Sequence, residues 1–206
     1  MDRKIILGYR IAVAALIWAI ILIAMFSDGV ILFLFSLKYY TMQTNLMVAI
    51  WLILAIFFYK KPDWLKKLSG KLKGAITLYI TVTFLVFAIV LSPLYHPTGF
   101  KFVSNLVLHY IAPIAFIIDW ILTENDVKYN WKYAFYWFIY PICYLCFAII
   151  NGLLTSDYLY PFLDINFLGV PIFIVCIIIL VGLYVGLGIL YIGVNRKWLS
   201  KNTKNT

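Results

Sequence analysis

From Ile5 to Phe26 the chain reads IILGYRIAVAALIWAIILIAMF, with Arg10 as its only charge. A helix needs roughly 20 residues to cross a 30 Å hydrocarbon layer, and a run of this length and apolarity is matched to that task. The first crossing is expected at about 7–26, and comparable runs follow at about 36–58, 74–94, 102–122, 132–153 and 169–193. Six crossings consume about 120 residues, so only short connections remain. With 65% hydrophobic residues and 12% charged ones, a water-soluble core could not hide so much apolar surface. The expected fold is all-α: a polytopic six-helix transmembrane bundle, with 1–198 as a single membrane domain and 199–206 as a flexible cytoplasmic tail. The first run begins like a signal peptide, but it is long and has no small-x-small cleavage motif before Ser27, so it reads as a retained span.

The net charge of +9 lies in short clusters between apolar runs, which is the pattern of topology signals and not of a nucleic-acid-binding face. Arg3, Lys4 and Arg10 flank the first run, and six lysines lie between Lys60 and Lys73. Lys128 and Lys132 follow the fourth run, and Arg196, Lys197, Lys201 and Lys204 follow the sixth. The alternate connections hold only Lys38 and Lys101, so fifteen of the 17 basic residues mark one side. The positive-inside rule places both ends in the cytoplasm. PDWLKKLSGKLK, Pro62–Lys73, spaces Trp64, Leu65, Leu68 and Leu72 helically among lysines and is expected to lie on the cytoplasmic leaflet. The expected partners are membrane lipids, the expected location is the cell (plasma) membrane, and no cofactor or nucleic acid is expected. Cys143, Cys146 and Cys176 all fall in apolar runs and read as core thiols.

Polar groups at membrane depth cost free energy unless they are paired or solvated, so they are where function is sought. TMQTN places Thr41, Thr44 and Asn45 on one face of the second span, Asn105 and His109 share a face of the fourth, and Asn151 lies near the outer end of the fifth. Counted from the cytoplasmic boundaries at about 1.5 Å per residue, Thr41, Asn105 and Asn151 each stand roughly 28 Å above the inner edge. Thr44 stands at about 24 Å and His109 at about 22 Å. The layer is compatible with interhelical hydrogen bonding, but a span histidine also suits proton transfer from a hydroxyl. On depth alone Thr44 is nearer to His109 than Thr41 by about 4 Å. Asp119, near the inner edge, is expected to pair with Lys128 or Lys132, and His96 in the outer loop SPLYHPTGF is held in reserve.

Three segments, SLKYYTMQTN, SNLVLHYIAPIAFIIDW and YPFLDINFLG, resemble the six-span membrane family of androgen-induced and androgen-dependent TFPI-regulating hydrolases and their bacterial relatives. The resemblance implies a fatty-acid-ester hydrolase in which Thr41 is the nucleophile and His109 its base. Thr44 stays its rival, and Thr44, Asn45, Asn105 and Asn151 are candidate oxyanion donors or substrate contacts. Two other functions compete: a non-catalytic lipid- or small-molecule-binding membrane protein, and a transporter. The latter lacks the internal repeat that transporters commonly carry.

Overall fold

The computed structural model describes residues 2–124 and 127–202. Among the described residues six helices are long and apolar enough to cross a membrane: Arg3–Ser27, Tyr40–Phe57, Asp63–Leu94, Gly99–Thr123, Tyr133–Thr155 and Ile165–Trp198. The chain is an all-α polytopic bundle. The third span is the most buried and forms the centre, whereas the sixth exposes most of its apolar surface to the lipid around the bundle.

Apolar packing divides into two adjoining clusters. Ile17 and Ile21 of the first span meet Val48 and Leu52 of the second, Ile80 of the third and Phe116 of the fourth. The other cluster is aromatic: Tyr40, Tyr79, Trp120, Tyr129, Trp137, Tyr144 and Tyr191 draw the fifth and sixth spans against the third. Gly70 and Gly74 supply the small-xxx-small spacing that lets that aromatic wall approach. A Cβ on Gly74 would overlap Cζ2 of Trp137.

Three element boundaries differ from the hydropathy reading. The second span starts at Tyr40, because Gly29 (φ 87°) breaks the helix and Val30–Ser36 forms a short separate one. Glycine meets little steric cost at that positive φ. The expected leaflet segment does begin with a helix, Pro62–Leu68, but it runs through a π-helical turn, Ser69–Lys73, directly into the third span. The last helix starts at Ile165, kinks at Gly169 and continues to Asn202, through part of the expected flexible tail. Residues 203–206 of that tail lie outside the described residues. Cys143 and Cys146 sit on the exposed face of the fifth span, so the core reading of those two thiols is corrected.

Asp119 is not paired with Lys128 or Lys132. It accepts Arg10 Nε at 2.7 Å and Lys73 Nζ at 2.8 Å, and all three side chains are largely or wholly buried. Lys73 Nζ also lies 3.6 Å from Glu124, whose Oε2 accepts hydroxyl hydrogen bonds from Tyr129, at 2.6 Å, and from Ser69. Asn195 joins the sixth span to this cluster, donating to the Glu124 and Val127 carbonyls and accepting the Tyr129 amide. Two cations therefore share one carboxylate where the first, third and fourth spans meet. Burial pushes the Tyr129 hydroxyl up and the Glu124 carboxylate reinforces the shift, so the phenol stays a proton donor.

Candidate active site in the outer half of the bundle

Two π-helical turns shape the outer half. One, Phe87–Leu91, lies in the third span, and the other, Val107–Ile111, lies in the fourth. The second stands just before Pro113, which has no amide hydrogen to give His109 O and whose ring crowds the carbonyl four residues back. Wider turns of this kind recur where helices build functional sites. Here each carries one partner of a stacked pair, Phe87 and His109, with ring centroids 3.8 Å apart and planes 24° apart.

The imidazole is also held by its own helix. Nδ1 lies 3.1 Å from the Asn105 carbonyl oxygen, which can only accept, so Nδ1 carries the hydrogen. In the neutral ring Nε2 is then the acceptor. His109 and Thr41 line one cavity of about 580 Å³, together with Asn105, Ser36, Lys101 and Tyr160. The remaining wall is mostly apolar and includes Leu32 and Phe33 of the short helix Val30–Ser36.

Thr41 is the second residue of its helix, and the entry of that helix is capped from elsewhere in the chain. The Tyr40 amide donates to the hydroxyl oxygens of Tyr144 and Tyr160, each at 2.9 Å, and Tyr144 donates in turn to the Lys38 carbonyl. The Thr41 amide and hydroxyl lie against the same Tyr160 oxygen. Tyr160 belongs to the connection before the sixth span, and burial pushes its hydroxyl up, keeping it protonated. On its other side Thr41 borders a narrower cleft of about 80 Å³ between the third, fifth and sixth spans, lined by Val82, Leu145 and Leu180 among others.

The layer inferred from depth counting divides on folding. Thr41, Asn105 and His109 come to one cavity. Thr44 is fully buried, with its hydroxyl between the Thr83 hydroxyl (2.9 Å) and the Thr41 carbonyl (3.1 Å), and it does not line that cavity. Asn45 is fully buried too, donating to the carbonyls of Thr41 and Leu108 and so joining the second span to the fourth beside the cavity. Asn151 bonds the Asp157 carbonyl at the outer end of the fifth span, away from the lining. His96 is exposed in its loop and is also absent from the lining. The Asn105 side-chain oxygen is buried without a hydrogen-bond partner among the described residues. Phe87 and Tyr160 were missed from the sequence, because a phenylalanine within an apolar span carries no polar signal and the tyrosine resembles an interfacial anchor.

Comparison with known proteins adds relatives but no activity. The chain is 33% identical over 116 residues to an uncharacterized protein of Mycoplasma pneumoniae, which covers 51% of this chain and 44% of that relative. It is 34% identical over 114 residues to an uncharacterized protein of Mycoplasma genitalium, covering 51% of this chain and 42% of the relative. The chain thus spans less than half the length of the curated relatives it matches. No family model matches the sequence, and no solved structure matches it.

Proposed function

We propose that this protein is an integral hydrolase of fatty-acid esters, acting from the extracytoplasmic half of the cell membrane with Thr41 as nucleophile and His109 as base. The observation that carries the reading is the shared cavity: a hydroxyl from the second span and an imidazole from the fourth border one space of about 580 Å³. A threonine hydroxyl is a weak nucleophile and needs a base to take its proton. With Nδ1–H committed to the Asn105 carbonyl, Nε2 is the atom available to accept. The stacking of Phe87 and the hydrogen bond to the Asn105 carbonyl restrict rotation of the ring, which favours a productive orientation.

The reaction balances without a further reagent. Thr41 Oγ attacks the ester carbonyl while its proton passes to His109 Nε2, the C–O bond to the leaving alcohol breaks, and the imidazolium returns the proton to that alcohol. Water then attacks the acyl-threonine with the same base assistance, releasing the acid and restoring both side chains. Tyr160 lines the cavity with Thr41, and its protonated hydroxyl is the group we assign as donor to the developing oxyanion. The short helix Val30–Ser36 exposes Val30, Ile31, Leu34 and Phe35 and forms part of the cavity wall, so a substrate whose chains already lie in the outer leaflet can approach sideways.

The test is hydrolysis of a long-chain ester by the full chain in mixed micelles. Thr41→Ala and His109→Ala are each expected to lower kcat by at least 10²-fold, the lower bound for loss of general-base assistance. Binding of the ester without turnover in the wild type would instead support a lipid-binding protein.

A further inference from the structure

Thr41 borders two spaces that differ in chemistry. The larger, of about 580 Å³, carries the polar groups, with Ser36, Lys101, Ser104, Asn105 and His109 in its lining. The narrower, of about 80 Å³ between the third, fifth and sixth spans, has an almost wholly apolar wall that includes Val82, Phe138, Leu145 and Leu180. Thr41, Phe87, Leu91 and Tyr160 line both, so the two spaces adjoin at the threonine. On the third span the cleft lining runs from Leu91 to Val82, roughly 14 Å along the helix. Two hydroxyls of that lining are bonded within the protein, Thr83 to Thr44 at 2.9 Å and Tyr144 to the Lys38 carbonyl. Ile142 of the fifth span and Val181 of the sixth also line the cleft and are exposed on the bundle surface. A long chain in the cleft therefore has room to run on into the bilayer between those spans.

We infer that this cleft holds the acyl chain of the ester while the alcohol half lies in the larger cavity. The assignment rests on the hydrolase reading and adds to it which half of the substrate goes where. The proton route requires such a division. His109 Nε2 returns its proton to the leaving alcohol and then assists the attacking water, so alcohol and water both need the His109 side of Thr41. The acyl group stays bonded to Thr41 Oγ between those two steps, and its chain must extend in another direction. His109 lines the larger cavity and not the cleft. A methylene chain forfeits no hydrogen bond against an apolar wall, and a narrow cleft surrounds it with close contacts. Contacts made so far from the carbonyl can be spent on orienting it for attack.

The experiment compares three esters hydrolysed by the full chain in mixed micelles: ethyl palmitate (long acyl chain), hexadecyl acetate (long alcohol chain) and ethyl butyrate (neither). Leu180→Trp fills the cleft from the sixth span, and Leu145→Phe narrows it independently from the fifth. Ile179→Trp adds the same bulk at a neighbouring exposed position that does not line the cleft. Leu180→Trp is expected to lower kcat/KM for ethyl palmitate relative to ethyl butyrate by about tenfold or more, the lower end of what an apolar pocket discriminates. The ratio of hexadecyl acetate to ethyl butyrate should stay as in the wild type. Leu145→Phe should act in the same direction, and Ile179→Trp should keep the wild-type profile. A loss directed at hexadecyl acetate would put the alcohol chain in the cleft and overturn the assignment. An unchanged profile in both cleft variants, or an equal loss for all three esters, would overturn it as well while leaving the hydrolase reading in place. Absence of hydrolysis of any ester by the wild type would remove the hydrolase reading and the assignment together.

Discussion

The two ends of this bundle differ in how they hold buried charge. At the cytoplasmic end Asp119, Lys73, Arg10, Glu124, Tyr129 and Asn195 satisfy one another across four spans, and the charges serve to join helices. At the outer end the cavity lining has Lys101 as its one cation and no carboxylate among the described residues, and an asparagine oxygen, Asn105 Oδ1, is left without a partner. A closed ion cluster specifies how helices assemble, whereas a polar space with unfilled hydrogen-bonding capacity is suited to a ligand. The difference separates the residues expected to govern stability from those expected to govern activity.

The largest stability effect is expected where the comparison is most easily broken. Asp119→Ala leaves Arg10 and Lys73 without their shared carboxylate and should cost about 3–5 kcal/mol. Unfolding free energy in mixed micelles would measure it, and a loss below about 1 kcal/mol would contradict a structural role for the cluster. Gly74→Ala is expected to follow at about 1–3 kcal/mol, since the new methyl must displace Trp137 or part the third and fifth spans. The same assay checks it, with Ala75→Gly as a nearby control. Asn45→Ala removes a bond between the second and fourth spans and should cost about 0.6–1.7 kcal/mol, the range for such bonds in membranes. It should also lower ester turnover by loosening the Thr41–His109 geometry, an effect that a double-mutant cycle with His109→Ala would reveal as coupling.

The smallest effect is expected outside the membrane layer, at the Lys38–Asp157 pair, whose atoms are 2.5 Å apart. Its carboxylate is well exposed, so a double-mutant cycle should give about 0.2–1 kcal/mol. The hydrogen bond to Asp157 raises the Lys38 pKa above its ordinary value of 10.5. A raised lysine contributes its stability in full below its unfolded pKa and loses it as pH rises through the folded one. The coupling should therefore be constant between about pH 7 and 9 and fall above about pH 10.5. A coupling that grew with pH in that upper range would contradict the assignment.

The parts legible in the sequence were those encoded in one run of residues. Hydropathy and the lysine count marked all six crossings, and depth counting put Thr41, Thr44, Asn105, His109 and Asn151 in one layer, of which only Thr41, Asn105 and His109 line one cavity. What escaped was long-range pairing. Nothing near Asp119 in the chain announces Arg10, 109 residues earlier, and Lys73 read as a leaflet lysine because its neighbours are lysines. Thr44 looked nearer to His109 in depth, but depth fixes only one coordinate. The rotation of the helix turns Thr44 to Thr83 and leaves Thr41 in the cavity lining. The π turns around Phe87 and His109 were equally hidden, since Pro113 predicts a disturbed turn but not which way the extra residue bulges.

The most direct test of the outer site is covalent capture of its nucleophile. The full chain in detergent is treated with an electrophilic fluorophosphonate probe of the serine-hydrolase type, and the modified peptide is mapped by mass spectrometry. The account predicts an adduct on Thr41 that is lost in both Thr41→Ala and His109→Ala, with the unfolding transition of each variant preserved. An adduct elsewhere, or labelling of Thr41 that persists when the imidazole is removed, would contradict it.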